Sequence, residues 1–214
     1  MTSDGEGFIR SNTRLRSVPL VPEIFLHMAD EITPIWQASE RWLAAHNVAP
    51  PFWAFAWPGG QGLARHILDN PALVAGRRVL DFAAGSGVVA IACARAGAAQ
   101  IEAAEIDSLA VIAIGLNAAA NGVDVITCHC DMVGASSRWD LIVCGDVCYE
   151  ASMTDHIMPW LTSMTTTTEV WLADPGRNYL PTDSLTPFAC YTVPTTLEIE
   201  DRIAREVVLY RLGL

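Results

Sequence analysis

The run Val79-Leu80-Asp81-Phe82-Ala83-Ala84-Gly85-Ser86-Gly87 constrains the fold of this chain more than any other stretch, because it joins an apolar segment directly to a glycine turn. Gly85 and Gly87 can take positive φ and let a ligand approach the backbone, and Val88 to Ala96 has the apolar, alanine-rich character of a following helix. Strand, turn and helix in succession offer helix-terminal N–H groups to a nucleotide-like ligand. The same alternation continues downstream. Strands are expected near 78–83, 100–105, 125–129, 139–145 and 168–173, with helices near 87–96, 108–121 and 153–163 between most of them. That order predicts an α/β fold, a doubly wound and mostly parallel sheet with right-handed crossovers. The tail differs: 188–199 and 204–212 are strand-like and joined around Asp201-Arg202, which predicts a terminal antiparallel hairpin and a sheet of seven strands.

Upstream of the glycine turn the signals are weaker. Residues 1–21 read as a mobile N-terminal arm, with Ser, Gly and Asn early and prolines at 19 and 22. Residues 22–214 read as one domain with an N-terminal helical extension, since 214 residues suit one sizeable α/β unit. In that extension Pro34 opens a helix to about His46, with Ile35, Ala38, Trp42 and Ala45 on one face. Pro50-Pro51 breaks the chain, and a further helix carrying Leu63, Ile67 and Leu68 follows Gly59-Gly60.

Charge narrows the partners. A net charge of −11 leaves no basic face on which phosphates would release counterions, so nucleic acid is not expected and a cationic partner fits better. All 13 basic residues are arginine, so Schiff-base and Tyr-x-x-x-Lys chemistry are excluded. No apolar run is long enough to span a membrane. Cysteines 93, 128, 130, 144, 148 and 190 show no C-x-x-C spacing and read as reduced core thiols, with a cytoplasmic location. Cys128-His129-Cys130 alternates faces on a strand, so no metal site is expected there.

Two ligands compete for the glycine turn. Gly85-Ser86-Gly87-Val88-Val89-Ala90 also satisfies the dinucleotide pattern G-x-G-x-x-G/A, and Glu105 stands at the distance of a ribose-binding carboxylate for either ligand. Asp81 favours S-adenosylmethionine, whose ammonium and sulfonium are stabilised by a nearby carboxylate, whereas a pyrophosphate gains nothing from one. In a doubly wound sheet the ligand sits at the carboxyl ends of the strands, where Asp81, Glu105, Asp131 and Asp146 all fall. Asp131 is placed to accept from an adenine amino group, and Asp146-Val147-Cys148-Tyr149 sets a carboxylate and a phenol beside the cofactor.

Three motifs together carry a resemblance to a known family. Phe52-Trp53-Ala54-Phe55-Ala56-Trp57-Pro58-Gly59-Gly60-Gln61, Gly145-Asp146-Val147-Cys148-Tyr149-Glu150 and Asp174-Pro175-Gly176-Arg177 resemble the electron transfer flavoprotein β-subunit lysine methyltransferases, of the seven-β-strand, class I methyltransferase type. The resemblance runs from about Pro22 through Arg177 and fades over the last 37 residues. It implies an S-adenosylmethionine-dependent protein-lysine N-methyltransferase acting on the electron transfer flavoprotein β subunit, needing no metal. It also implies that Trp57, Asp81, Ala83, Gly85, Gly87, Glu105, Asp131, Met132 and Gly145 line the cofactor, while Asp146 and Tyr149 face the incoming lysine. A ribosomal-protein lysine methyltransferase, a nucleoside-binding module without turnover and a nicotinamide oxidoreductase are the alternatives.

Overall fold

The computed structural model describes residues 2–29, 50–196 and 200–213. In chain order these form helix α1 (Thr2–Asn12), strands β1 (Arg14–Ser17) and β2 (Phe25–Met28), helix α2 (Pro58–Asp69), strand β3 (Arg78–Phe82), helix α3 (Val88–Arg95) and strand β4 (Gln100–Glu105). Helix α4 (Ser108–Ala120), strands β5 (Ile126–His129) and β6 (Leu141–Gly145), helix α5 (Ala151–Met164) and strands β7 (Glu169–Asp174), β8 (Leu185–Pro194) and β9 (Ala204–Leu212) complete them. The helix expected from Pro34 to His46 lies outside the described residues.

The sheet runs β5-β4-β3-β6-β7-β9-β8. The first five strands are parallel, and β9 lies antiparallel between β7 and β8. The chain order reverses between β3 and β6, so the carboxyl ends of these strands flank the crevice where such sheets bind ligands.

Period-two alternation distributes the core. Val79, Leu141, Val143, Trp171 and Ala173 turn to one face and pack with Leu63 and Ile67 of α2 and Ile91 of α3. Leu80, Phe82, Ile142, Cys144, Val170 and Leu172 turn to the other and meet Ile157, Trp160 and Leu161 of α5. Burial on both faces explains why these strands read as nearly continuous apolar runs.

Within the segment expected as a mobile arm, residues 2–21 carry a helix and the first strand of a hairpin. Ile9 of α1 is fully buried with Trp53, Phe55, Leu109 and Ala113 in a third cluster, so the helix is held by packing that its own Gly5, Gly7 and Asn12 do not advertise. Pro19 and Pro22 lie in the connection of the β1–β2 hairpin, where Val18 N–H donates to the Ile24 carbonyl at 3.0 Å. Val18, Val21, Ile24 and Leu26 are all fully buried.

The cysteines also differ in part from expectation. Cys128 and Cys130 form a disulfide, with Cα atoms 5.7 Å apart, because residues two apart share a face where β5 ends. Cys93, Cys144 and Cys148 are free and buried, and Cys190 is free and exposed.

Candidate active site

The glycine turn after β3 is built from three residues at positive φ: Ala83 (53°), Gly85 (53°) and Gly87 (77°). The two glycines have different duties. A Cβ on Gly85 would meet nothing within 4 Å, so the turn opens there to a ligand, whereas one on Gly87 would lie 3.1 Å from Ile114 of α4. Gly87 therefore serves close packing of helix against turn as well as the left-handed N-cap of α3. Asn117 secures the arrangement from beneath. It is fully buried, donates to the Ser86 carbonyl at 2.8 Å and accepts from His27 N–H of β2 at 2.7 Å, so the N-terminal hairpin supports the turn.

Glu105, at the end of β4, accepts from Gly85 N–H at 2.8 Å with one oxygen and from Ile106 N–H at 3.0 Å with the other. The carboxylate keeps acceptor capacity, as a ribose hydroxyl would need. Burial raises its pKa, against the lowering effect of the Gly85 hydrogen bond. Asp81 is placed differently from the cofactor-facing position expected of it. It is buried under the turn and accepts from Ala90 N–H at 2.8 Å, so its visible duty is to satisfy an orphan donor in the first turn of α3. Desolvation pushes its pKa well up.

Past β6, Gly145 and Asp146 meet the N-terminus of α2. A Cβ on Gly145 would stand 2.7 Å from the Gly60 nitrogen, and one on Gly59 would stand 2.6 Å from the Ala173 carbonyl oxygen. The glycines of the Pro58-Gly59-Gly60 motif thus allow backbone to press on backbone. Asp146 itself takes φ +58°, accepts from Gly59 N–H through Oδ2 and binds Arg177 Nη2 through Oδ1 at 2.9 Å. Burial first, opposed by Arg177, pushes its pKa up to about 6.

Arg177 extends the network to the tail. Its guanidinium also binds Glu200, which in turn accepts from Arg205 Nε at 3.0 Å. Asp174, at the end of β7, accepts from Gly176 N–H at 2.7 Å and Arg177 N–H at 2.6 Å through Oδ1. Sequence reasoning singled out the Asp174-Pro175-Gly176-Arg177 motif without giving it a role, and Glu200 had no signal at all in a tail of weak resemblance.

An aromatic wall closes the substrate side. Tyr149, 42% exposed, lies with its ring centroid 5.5 Å from Phe52, which is 5.8 Å from Trp57, and Trp57 Nε1 donates to the Phe52 carbonyl at 2.8 Å. Burial, Glu150 and Glu105 all raise the Tyr149 pKa, which keeps the phenol protonated near neutrality. Asp131 is exposed after β5, accepting from Val133 N–H at 2.9 Å and pairing with His156 Nε2 at 2.8 Å, while Met132 is buried in the α5-side core. Glu105 and Gly85 thus stand together at the glycine turn and Tyr149, Phe52 and Trp57 form a row of rings, whereas Asp81, Gly87, Gly145 and Met132 are held within the fold.

Residues 65–162 match the family model described as ribosomal protein L11 methyltransferase (PrmA). The magnesium protoporphyrin IX methyltransferase from Synechocystis PCC 6803, solved with bound SAH, is similar in fold, with a TM-score of 0.53 at 15% identity over 86% of this chain and 100% of that one. The electron transfer flavoprotein beta subunit lysine methyltransferase of Mus musculus is 38% identical, covering 80% of this chain and 68% of the relative. That of Danio rerio is 39% identical over 180 residues, which span 81% of this chain and 68% of the relative. With identity of that extent over that share of both chains, the chain belongs to the electron transfer flavoprotein beta subunit lysine methyltransferase family.

Proposed function

We propose that this chain transfers methyl groups from S-adenosylmethionine to lysine side chains of the electron transfer flavoprotein β subunit. The observation that carries the reading is Glu105 at the end of β4, hydrogen-bonded beside the open Gly85 turn, together with the row of aromatic rings Tyr149, Phe52 and Trp57. The residues fit the cofactor: Gly85 leaves space above its backbone, and Glu105 keeps acceptor capacity for a ribose hydroxyl. Trp57 and Phe52 supply an apolar border, and Asp131 reaches the adenine side. When bound, S-adenosylmethionine supplies a methyl carbon attached to a positively charged sulfur.

Lysine must be neutral to attack. Its ordinary pKa of about 10.4 makes deprotonation at pH 7 cost roughly 4.6 kcal/mol. The protonated Tyr149 serves as a wall and hydrogen-bond donor rather than a base. Asp146, held by Gly59 and Arg177, favours the cationic amine and so guides the side chain in, with the proton then lost to water. In-line placement within a water-poor site supplies the remaining acceleration. Among the described residues no helix is long and apolar enough to cross a membrane. We assign the chain to the cytoplasm, a placement that cell fractionation tests.

The match to the L11 methyltransferase model over residues 65–162 favours a ribosomal-protein lysine as the second reading. Labelled cofactor incubated with either folded protein, followed by mass spectrometry, separates the two. Label on lysines of electron transfer flavoprotein is expected; label on L11 alone would transfer the assignment.

A further inference from the structure

Asp146 has a protein partner on each carboxylate oxygen, Gly59 N–H on one and Arg177 on the other. The neighbouring carboxylate does not. Asp174 is 2% exposed, and its Oδ1 takes the N–H groups of Gly176 and Arg177, but its buried Oδ2 has no hydrogen-bond partner. An unpaired buried carboxylate oxygen is costly, so it marks a place where a donor belongs. Its surroundings ask for a cation. Among the described residues, Asp146, Asp174 and Glu200 face Arg177 and Arg205 across this network, a surplus of one negative charge, with the exposed Asp201 adding another on the solvent side. The Cys148 thiol, within electrostatic reach of Asp174, is neutral because burial pushes its pKa up to about 11, and the pKa of the Tyr210 phenol is likewise raised by burial and by Asp174.

We infer that Asp174 is a substrate-binding residue whose Oδ2 accepts from the ammonium of the target lysine, with Arg177 as the positioning residue that holds Asp146 and Asp174 on either side of it. The inference rests on the lysine-methylation reading above and deepens it. One entering ammonium balances the surplus charge, supplies the missing donor, and lies beside Asp146 at the end of β6. The turn also fixes the chemistry of a test. In Asp174→Asn the two N–H donors on the Oδ1 side hold the amide oxygen there, which forces the NH2 group into the Oδ2 position. An acceptor becomes a donor with the turn intact.

The full chain carrying Asp174→Asn should show a KM for folded electron transfer flavoprotein raised ten-fold or more, with S-adenosylhomocysteine affinity by calorimetry within two-fold of the unaltered chain. Asp174→Ser, which keeps a turn acceptor but lacks the second oxygen, should raise KM in the same way. A KM within two-fold in either folded variant would overturn the inference. Loss of S-adenosylhomocysteine binding in both would do so as well, because the carboxylate would then have a structural duty only. These outcomes are separate from failure of the functional reading, which would appear as label outside lysine, or no label, with the unaltered chain.

Discussion

Glu105 and Asp146 are both carboxylates at strand ends, yet their partners give them different work. Glu105 is bound only by backbone N–H groups and keeps acceptor capacity at the opening. Glu105→Ala should therefore weaken S-adenosylhomocysteine binding by about 2 kcal/mol, the range of charge-assisted hydrogen bonds, as read by calorimetry. Asp146 is clamped by Arg177, and its value of about 6 stands above the ordinary 3.8. Two opposite pH trends follow. Because the folded chain binds that proton more tightly, the contribution of Asp146 to stability is most favourable at acid pH and declines as pH rises through 4 to 6. Its grip on Arg177 and on a cationic substrate needs the ionised form, so kcat/KM should fall as pH drops below about 6. In Asp146→Asn that acid limb should disappear along with most of the rate, while cofactor affinity stays near normal. At this scale the sequence disclosed which residues stand at strand ends, since the chain order of a doubly wound sheet places them there. It did not disclose partners. Asp81 turning under the turn to Ala90, and Glu200 reaching Arg177 from the tail, depend on side-chain direction and on contacts distant in sequence.

Among the elements, those with a strong period were legible and those held by others were not. Strands β3, β4, β6 and β7 and helices α3 to α5 follow their apolar patterns because each buries its own face. Helix α1 has almost no pattern, only Phe8 and Ile9, and its order comes from the groove between α4 and the Trp53-Phe55 segment. The structure thus makes the N-terminal segment part of the site's foundation. Ile9→Ala should lower stability by about 3 kcal/mol in denaturant melts, as expected for an aliphatic residue lost from a filled core. An effect below about 0.5 kcal/mol would return the segment to the status of an arm. The contact between the end of β6 and α2 is tighter still. Gly145→Ala places a methyl group against the Gly60 backbone, which no rotamer can relieve. It should shift the α2 N-terminus, remove the Gly59 hydrogen bond from Asp146, and reduce methylation more than it reduces S-adenosylhomocysteine affinity.

Across the whole molecule, charge and topology act together. The net charge of −11, carried by a chain without lysine, sets a negative field around a site whose own network has surplus negative charge. Such a field attracts a basic, lysine-bearing segment from beyond contact distance and disfavours polyphosphate. The exposed part of this field is screened by salt, with a Debye length of about 10 Å at 0.1 M, whereas the buried Asp146–Arg177–Glu200 network is screened much less. Salt should therefore act mainly on encounter. With electrostatic steering as the cause, kcat/KM for folded electron transfer flavoprotein should fall several-fold between about 0.02 and 0.3 M salt while kcat changes little. S-adenosylhomocysteine affinity should barely move over the same range, because Glu105 meets neutral hydroxyls. A kcat/KM indifferent to ionic strength would place recognition in shape rather than charge, and a parallel loss of cofactor binding would show salt acting on the fold instead of the encounter.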